Sequence, residues 1–135
     1  MNVLVDTSVW SLGLRRTHAH LGSREQATIN LWTDVVRAGD AVLIGPIRQE
    51  VLSGIRSRSV FEKLADRLAD FPDLELIQED YVRAAEFYNT CRSKGVVGTP
   101  IDLLICAAAS RHETPILTTD ADFERYASLL PIRLV

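Results

Sequence analysis

Val3-Leu4-Val5-Asp6-Thr7-Ser8 is the stretch whose reading decides the fold. A short apolar run, part of it β-branched, stops abruptly at a carboxylate and two hydroxyls. Such a run reads as a strand buried on both faces. Asp6 then stands where the strand ends, and in open α/β sheets ligands collect at the carboxyl ends of strands. The same grammar recurs at Ile116-Leu117-Thr118-Thr119-Asp120. Two strands ending this way would build one acidic pocket, and an acidic pocket calls for a divalent metal.

Outward from the first strand, strands and helices alternate. Helices are expected over Ser8–Arg16 and Arg24–Ala38, with a polar loop over Arg15–Ser23 between them. Ile29, Leu31, Trp32, Val35 and Val36 give the second helix its apolar face, and Gly39 is its stop. Ala41–Ile44 reads as a second buried strand, and Pro46 opens a helix to Arg56. Another helix spans Ser59–Phe71 until Pro72-Asp73 breaks it. Leu74–Ile77 alternates in character and suits a sheet edge. Asp80–Ser93 is helical, and Val96–Gly98 is a linker. Thr99-Pro100 launches a strongly apolar helix over Ile101–Arg111. Ile116–Thr118, a helix over Asp120–Leu130 and a short strand over Ile132–Val135 complete the chain. This alternation argues for one α/β domain over residues 1–135 with a mostly parallel sheet, covered on both faces.

Bulk properties narrow the class. With 135 residues, 47% of them hydrophobic, the chain can bury a sizeable core. A net charge of −3 gives no global attraction for nucleic acid, so any such binding needs a local basic patch. Arg15, Arg16, Arg24, Arg48, Arg56, Arg58 and Lys94 are candidates for that rim, with solvated surface charge the ordinary alternative. Cys91 and Cys106 are too few and too isolated for a disulfide framework or a zinc site, and a reducing, cytoplasmic setting suits them. No leader-like segment or membrane-length apolar run is expected. His18 and His20 lie close together without a third ligand and read as loop residues. His112 suits a helix C-terminus, while Trp10, Trp32 and Cys106 read as core.

The acidic residues carry the functional signal. Asp6 follows the first strand, Glu50 lies in the helix after the second, Asp102 is in the first turn of the apolar helix, and Asp120 and Asp122 follow Ile116–Thr118. Each has an ordinary reading. Thr99-Pro100-Ile101-Asp102 fits a capping box, Asp120 and Asp122 complement a helix N-terminus, Asp6 suits a cap, and Glu50 a solvated surface. Right-handed crossovers nevertheless gather strand ends and helix starts along one edge. Carboxylates crowded there repel one another, which raises their pKa values. Mg²⁺ or Mn²⁺ relieves that strain, because both prefer oxygen ligands and retain water.

Taken in order, these stretches resemble a known family. Val5-Asp6-Thr7-Ser8-Val9-Trp10 is similar to the opening of PIN-domain ribonucleases, the VapC-type toxins in particular. Arg48–Gly54 resembles their second acidic position at Glu50, Thr99–Ala109 their third at Asp102, and Thr118–Phe123 their closing signature at Asp120. The resemblance covers essentially the whole chain. It implies a three-layer α/β/α PIN fold and Mg²⁺- or Mn²⁺-dependent hydrolysis of RNA. Asp6, Glu50, Asp102 and Asp120 would be catalytic ligands, Asp122 an adjunct to the metal, and Thr7, Ser8 and Thr118 orienting hydroxyls. It also implies cleavage of structured transfer or ribosomal RNA, inhibition of translation, a homodimer and a small VapB-like antitoxin. The groove for that antitoxin is expected along the helices at Ser8–Arg16, Arg24–Ala38 and Pro46–Arg56.

Competing readings make their own demands. A haloacid-dehalogenase-like phosphatase needs a second Asp two residues after the first, and position 8 is Ser. A receiver domain needs a late lysine, yet after Lys94 the basic residues are Arg111, Arg125 and Arg133. A non-catalytic binding module that retains the fold stays open.

Overall fold

The computed structural model describes residues 1–14 and 21–135. β1 (Val3–Val5) is the middle strand, flanked by β2 (Ala41–Val42) and β3 (Ile116–Leu117) in the order β2-β1-β3. Both pairings are parallel, with Val3 opposite Ala41 and Leu4 opposite both Val42 and Ile116. All residues of these strands are buried. Successive side chains in a strand point to opposite faces, so both faces of the sheet are covered and the fold is a three-layer α/β/α arrangement.

The order of strands positions the site. β2 lies on one side of β1 and β3 on the other, so the chain changes direction at β1. In parallel sheets a crevice opens at such a switch point, outside the carboxyl ends of the strands. Asp6 leaves β1 there, and Thr118 leaves β3 beside it.

Seven helices surround this sheet among the described residues: α1 (Thr7–Leu14), α2 (Ser23–Arg37), α3 (Gly45–Leu52), α4 (Arg58–Leu68), α5 (Gln78–Ser93), α6 (Pro100–Arg111) and α7 (Asp122–Leu129). α6 is the buried one: Leu103 through Ala109 are all buried. Thr99 caps it, its hydroxyl accepting from the Asp102 amide at 3.1 Å, with Pro100 in the first turn. Trp10 is fully buried, donates to the Val5 carbonyl at 2.9 Å and meets Trp32 edge-on at 6.1 Å. Both tryptophans are core residues, as are Cys91 and Cys106, whose thiols burial pushes up and keeps protonated. Gly39, at φ 76°, ends α2 as expected.

Several boundaries differ from the sequence reading. α3 stops at Leu52, short of Arg56, because Ser53 turns extended and Gly54 takes φ 83°. α4 begins one residue early, where the Ser57 hydroxyl accepts from the Val60 amide, and it ends at Leu68 rather than Phe71. The strand expected at Leu74–Ile77 reduces to one bridge, Leu43 with Asp73. The Glu75 carbonyl is taken by Arg111 at 2.6 Å and by the His112 ring at 2.9 Å, so it has left the sheet ladder. α5 therefore starts at Gln78, two residues before Asp80. The final strand is likewise one bridge, Ile116 with Leu134. Arg48, expected on a basic rim, instead donates to the Leu68 and Phe71 carbonyls and to Asp73, which pins the end of α4. Arg58 pairs with Glu62 on its own helix. Arg15, Arg16, His18 and His20 lie outside the described residues.

Candidate active site

Asp6 is buried, with 6% of its surface accessible. A carboxylate there needs hydrogen bonds to offset its lost hydration. Two hydroxyls provide them to one oxygen: Ser8 Oγ donates to Oδ2 at 3.0 Å and Thr118 Oγ1 at 2.8 Å. The hydroxyls are themselves held, Ser8 Oγ accepting from the Thr119 amide at 3.2 Å and Thr118 Oγ1 from the Asp120 amide at 3.0 Å. The two strand ends are thus tied to each other through one carboxylate. The other oxygen of Asp6 has no partner among the described residues. The Asp6 main chain, not its side chain, begins α1, its carbonyl accepting from Val9 and Trp10.

Asp102 enters from the start of α6. Its amide is capped by Thr99, but its carboxylate does not close a capping box. It accepts instead from the Tyr126 hydroxyl on α7 at 2.9 Å. Burial, and then the negative charges of Asp6 and Asp120, push Asp102 up to about 6, against the pull of the Tyr126 and Thr99 hydroxyls. Tyr126 is 1% exposed, and burial together with the Asp102 hydrogen bond keeps its phenol protonated and donating. Gly98 makes this contact possible. A Cβ at Gly98 would collide with Leu103 Cδ2 and lie 3.1 Å from the Tyr126 ring and hydroxyl. Position 98 is therefore a packing glycine and not merely part of a linker.

Asp120 reaches the same locale. It acts electrostatically on Asp102, and its Oδ1 accepts from the Asp122 amide at 2.9 Å. Asp122 turns its carboxylate toward Arg125 at 3.7 Å along α7. Glu50 is exposed on α3, and its side chain has no hydrogen-bond or ion-pair partner among the described residues. The Thr7 hydroxyl is buried without a hydrogen bond among the described residues. The structure thus brings together Asp6, Asp102, Asp120, Ser8 and Thr118.

The donor set has the chemistry of a hard-cation site. It offers carboxylate and hydroxyl oxygens, one Asp6 oxygen with no partner among the described residues, and a neighbouring carboxyl raised to about 6 by burial first and like charges second. Among the described residues, no three His, Cys, Asp or Glu side chains stand close enough to enclose an ion. Oxygen donors of this kind suit a hard cation such as Mg²⁺, which binds through a few carboxylates and keeps several waters.

Tyr126 was not a candidate in the sequence. It lies three residues after Phe123 on the apolar face of α7, where it reads as core. The available signal was chemical, since a buried tyrosine hydroxyl requires a partner.

The PIN domain family model matches residues 3–129. The chain is 29% identical over 129 residues to VapC ribonuclease Mb1587 of Mycobacterium bovis, covering 94% of this chain and 92% of that protein. Ribonuclease VapC11 of Mycobacterium tuberculosis is similar to the same extent, 29% over 129 residues with 94% and 92% coverage. Among solved structures, VapBC2 from Rickettsia felis bound to a promoter DNA fragment superposes with a TM-score of 0.75 at 13% identity, covering 100% of this chain and 98% of that one. FitAcB from Neisseria gonorrhoeae gives 0.70 at 17%, with 98% and 95% coverage. These structural likenesses establish the fold.

Proposed function

The chain belongs to the PIN-domain family, and from that premise we propose that it is a Mg²⁺- or Mn²⁺-dependent endoribonuclease, the toxin of a toxin–antitoxin pair. The observation that carries this reading is the buried Asp6, fixed through one oxygen by Ser8 and Thr118, facing an Asp102 that the protein leaves without a cation. The ribonuclease names of the relatives support the activity, and the toxin–antitoxin assemblies among the structural neighbours support a small protein partner. The antitoxin would cover the groove of α1, α2 and α3. Structured transfer or ribosomal RNA, arrest of translation, a homodimeric assembly and a cytoplasmic setting complete the proposal.

Asp6, Glu50, Asp102 and Asp120 would hold the ion, directly or through water, with Asp122 an adjunct. When bound, the ion supplies positive charge at the scissile phosphate and makes water more acidic. Ser8 and Thr118 keep the Asp6 carboxylate from rotating, which preserves the direction of its free oxygen. Tyr126 holds Asp102 in place and, by donating to it, favours its charged form. Burial of Asp6 and Asp102 restricts water at the site, which strengthens every electrostatic interaction there.

A non-catalytic module is the competing reading, and the open spacing of the carboxylates is the observation on its side. Mapping RNA ends after induced expression of the wild type and of Asp6→Asn separates the two. Wild-type protein should generate discrete new ends, and the purified protein should cut RNA with Mn²⁺ or Mg²⁺ but not with a chelator. Asp6→Asn should lose cleavage more than about 100-fold, beyond the 10–100-fold typical of groups that only orient a ligand, while keeping its fold. Wild-type protein that binds no Mn²⁺ and leaves RNA intact would establish the inert module.

A further inference from the structure

A cavity of about 320 Å³ opens beside the acidic cleft, between the start of α2, the end of β3 and the start of α7. It shares Thr118 and Asp120 with the cleft, and Leu134 and Val135 give it an apolar wall that solvent reaches. Arg24 and Glu124 line it from different helices. The two form no ion pair with each other, and neither side chain has a partner among the described residues. Two exposed side chains, one a donor fork and one an acceptor pair, therefore border one cavity, and neither is committed elsewhere among the described residues.

That combination decides what the cavity takes. A phosphate would meet Arg24 but be repelled by Glu124 and Asp120. A nucleobase has an apolar face for the Leu134 and Val135 side and an edge carrying both donors and acceptors. Guanine suits both groups at once: O6 and N7 are adjacent acceptors for a guanidinium, and N1–H with the 2-amino group are adjacent donors for a carboxylate. Single-stranded RNA is read in this way, by splayed bases hydrogen-bonded along their edges. We propose that this cavity receives an unstacked guanine of the RNA next to the cleaved bond, its edges read by Arg24 and Glu124. The proposal rests on the ribonuclease reading for its substrate, but the cavity itself can be tested without cleavage.

The test titrates the whole protein with guanosine, adenosine, cytidine and uridine 3′-monophosphates, and separately with inorganic phosphate, following the Thr28, Thr119 and Ala121 amides by NMR. The guanosine nucleotide should shift these amides and bind more tightly than the others by about 5- to 150-fold, the discrimination a bidentate base contact supplies. Glu124→Gln and Arg24→Ala should each reduce that preference toward unity. On RNA, the bases flanking wild-type cuts should show a guanine at one fixed position, and both variants should relax that position alone. Equal binding of the four nucleotides, or the same shifts from phosphate alone, overturns the proposal. Guanine-selective binding without any RNA cleavage would sustain the pocket and defeat the ribonuclease reading, whereas cleavage with no base preference would do the reverse.

Discussion

At the C-terminal end of α6, Arg111 donates to both oxygens of Asp80, at 2.7 and 2.9 Å. At its N-terminal end, Asp102 faces Asp6 and Asp120 with a neutral tyrosine hydroxyl as its partner. Both ends suit the helix dipole, a cation at the C-terminus and an anion at the N-terminus. The carboxyls still move in opposite directions. Asp80 is 2% exposed, and its hydrogen bonds from Arg111 hold it below the usual carboxylate range despite its burial. Asp102 is less buried, yet burial and like charge raise it to about 6. Burial therefore does not fix the direction in which a carboxyl shifts. Whether the chain supplies the countercharge does.

Substitution at the two ends should break activity and stability apart. Asp102→Asn removes a charge that the fold itself does not neutralise. Cleavage should fall more than about 100-fold, past the range for merely orienting groups, while thermal stability holds or rises. Asp80→Asn should do the opposite. It withdraws the anion from Arg111 and weakens the hold on the Ile77 amide, which donates to Asp80 at 2.9 Å. The cost should be about 2 kcal/mol, below the roughly 3–5 kcal/mol of a fully enclosed pair, because water still reaches Arg111. Residual cleavage by the folded fraction should stay near wild type. Paired melting curves and cleavage rates check both; a stability loss at Asp102 equal to that at Asp80 would erase the distinction.

Much of this contrast was legible in the chain, and its limits have physical causes. Asp6, Asp102 and Asp120 could be grouped because parallel strands deliver their ends to one edge, a property of topology that apolar runs reveal. The fold class followed from the same alternation. Glu50 could not be grouped by the same rule, because it is an exposed residue of α3 and no strand-end rule fixes where a surface helix residue points. Tyr126 was hidden by its apolar neighbours. The Asp80–Arg111 pair spans 31 positions, and no local pattern links two such residues. Arg111 also explains the missing edge strand, since it takes the Glu75 carbonyl that a ladder would have used.

Titration should sharpen the comparison, with smaller effects. Asp102 is raised in the folded state, so the fold favours its protonated form. Its charge therefore costs nothing below about pH 4, and the cost develops as pH rises through about 6. Asp80 is lowered, so its contribution is present above about 3.8 and disappears as pH falls below that. Without metal, wild-type stability should decline between pH 4 and 7 relative to Asp102→Asn, and the decline should vanish in that variant. Mn²⁺ or Mg²⁺ should offset the cost at pH 7 and do much less at pH 5, where Asp102 is mostly protonated. An ion at 100 times its Kd adds about 2.7 kcal/mol, which a melting curve resolves. Equal stabilisation at both pH values would mean that Asp102 takes no part in binding the ion.

Tyr126→Phe should have the smallest effect and isolates what a neutral partner does for an uncompensated acid. The ring and its edge-on contact with Phe123 at 5.2 Å remain; only the hydroxyl that donates to Asp102 is lost. A hydrogen bond to a charged group is worth about 1.5–3 kcal/mol, but Asp102 is only half-buried and water can replace part of it. The acid limb of the cleavage profile should move upward by up to about one pH unit, equivalent to about 1.4 kcal/mol. At pH 8, where Asp102 is ionised in either protein, the variant should approach the wild-type rate. A loss of rate that persists unchanged at pH 8 would mean that Tyr126 acts through packing and not through the protonation of Asp102.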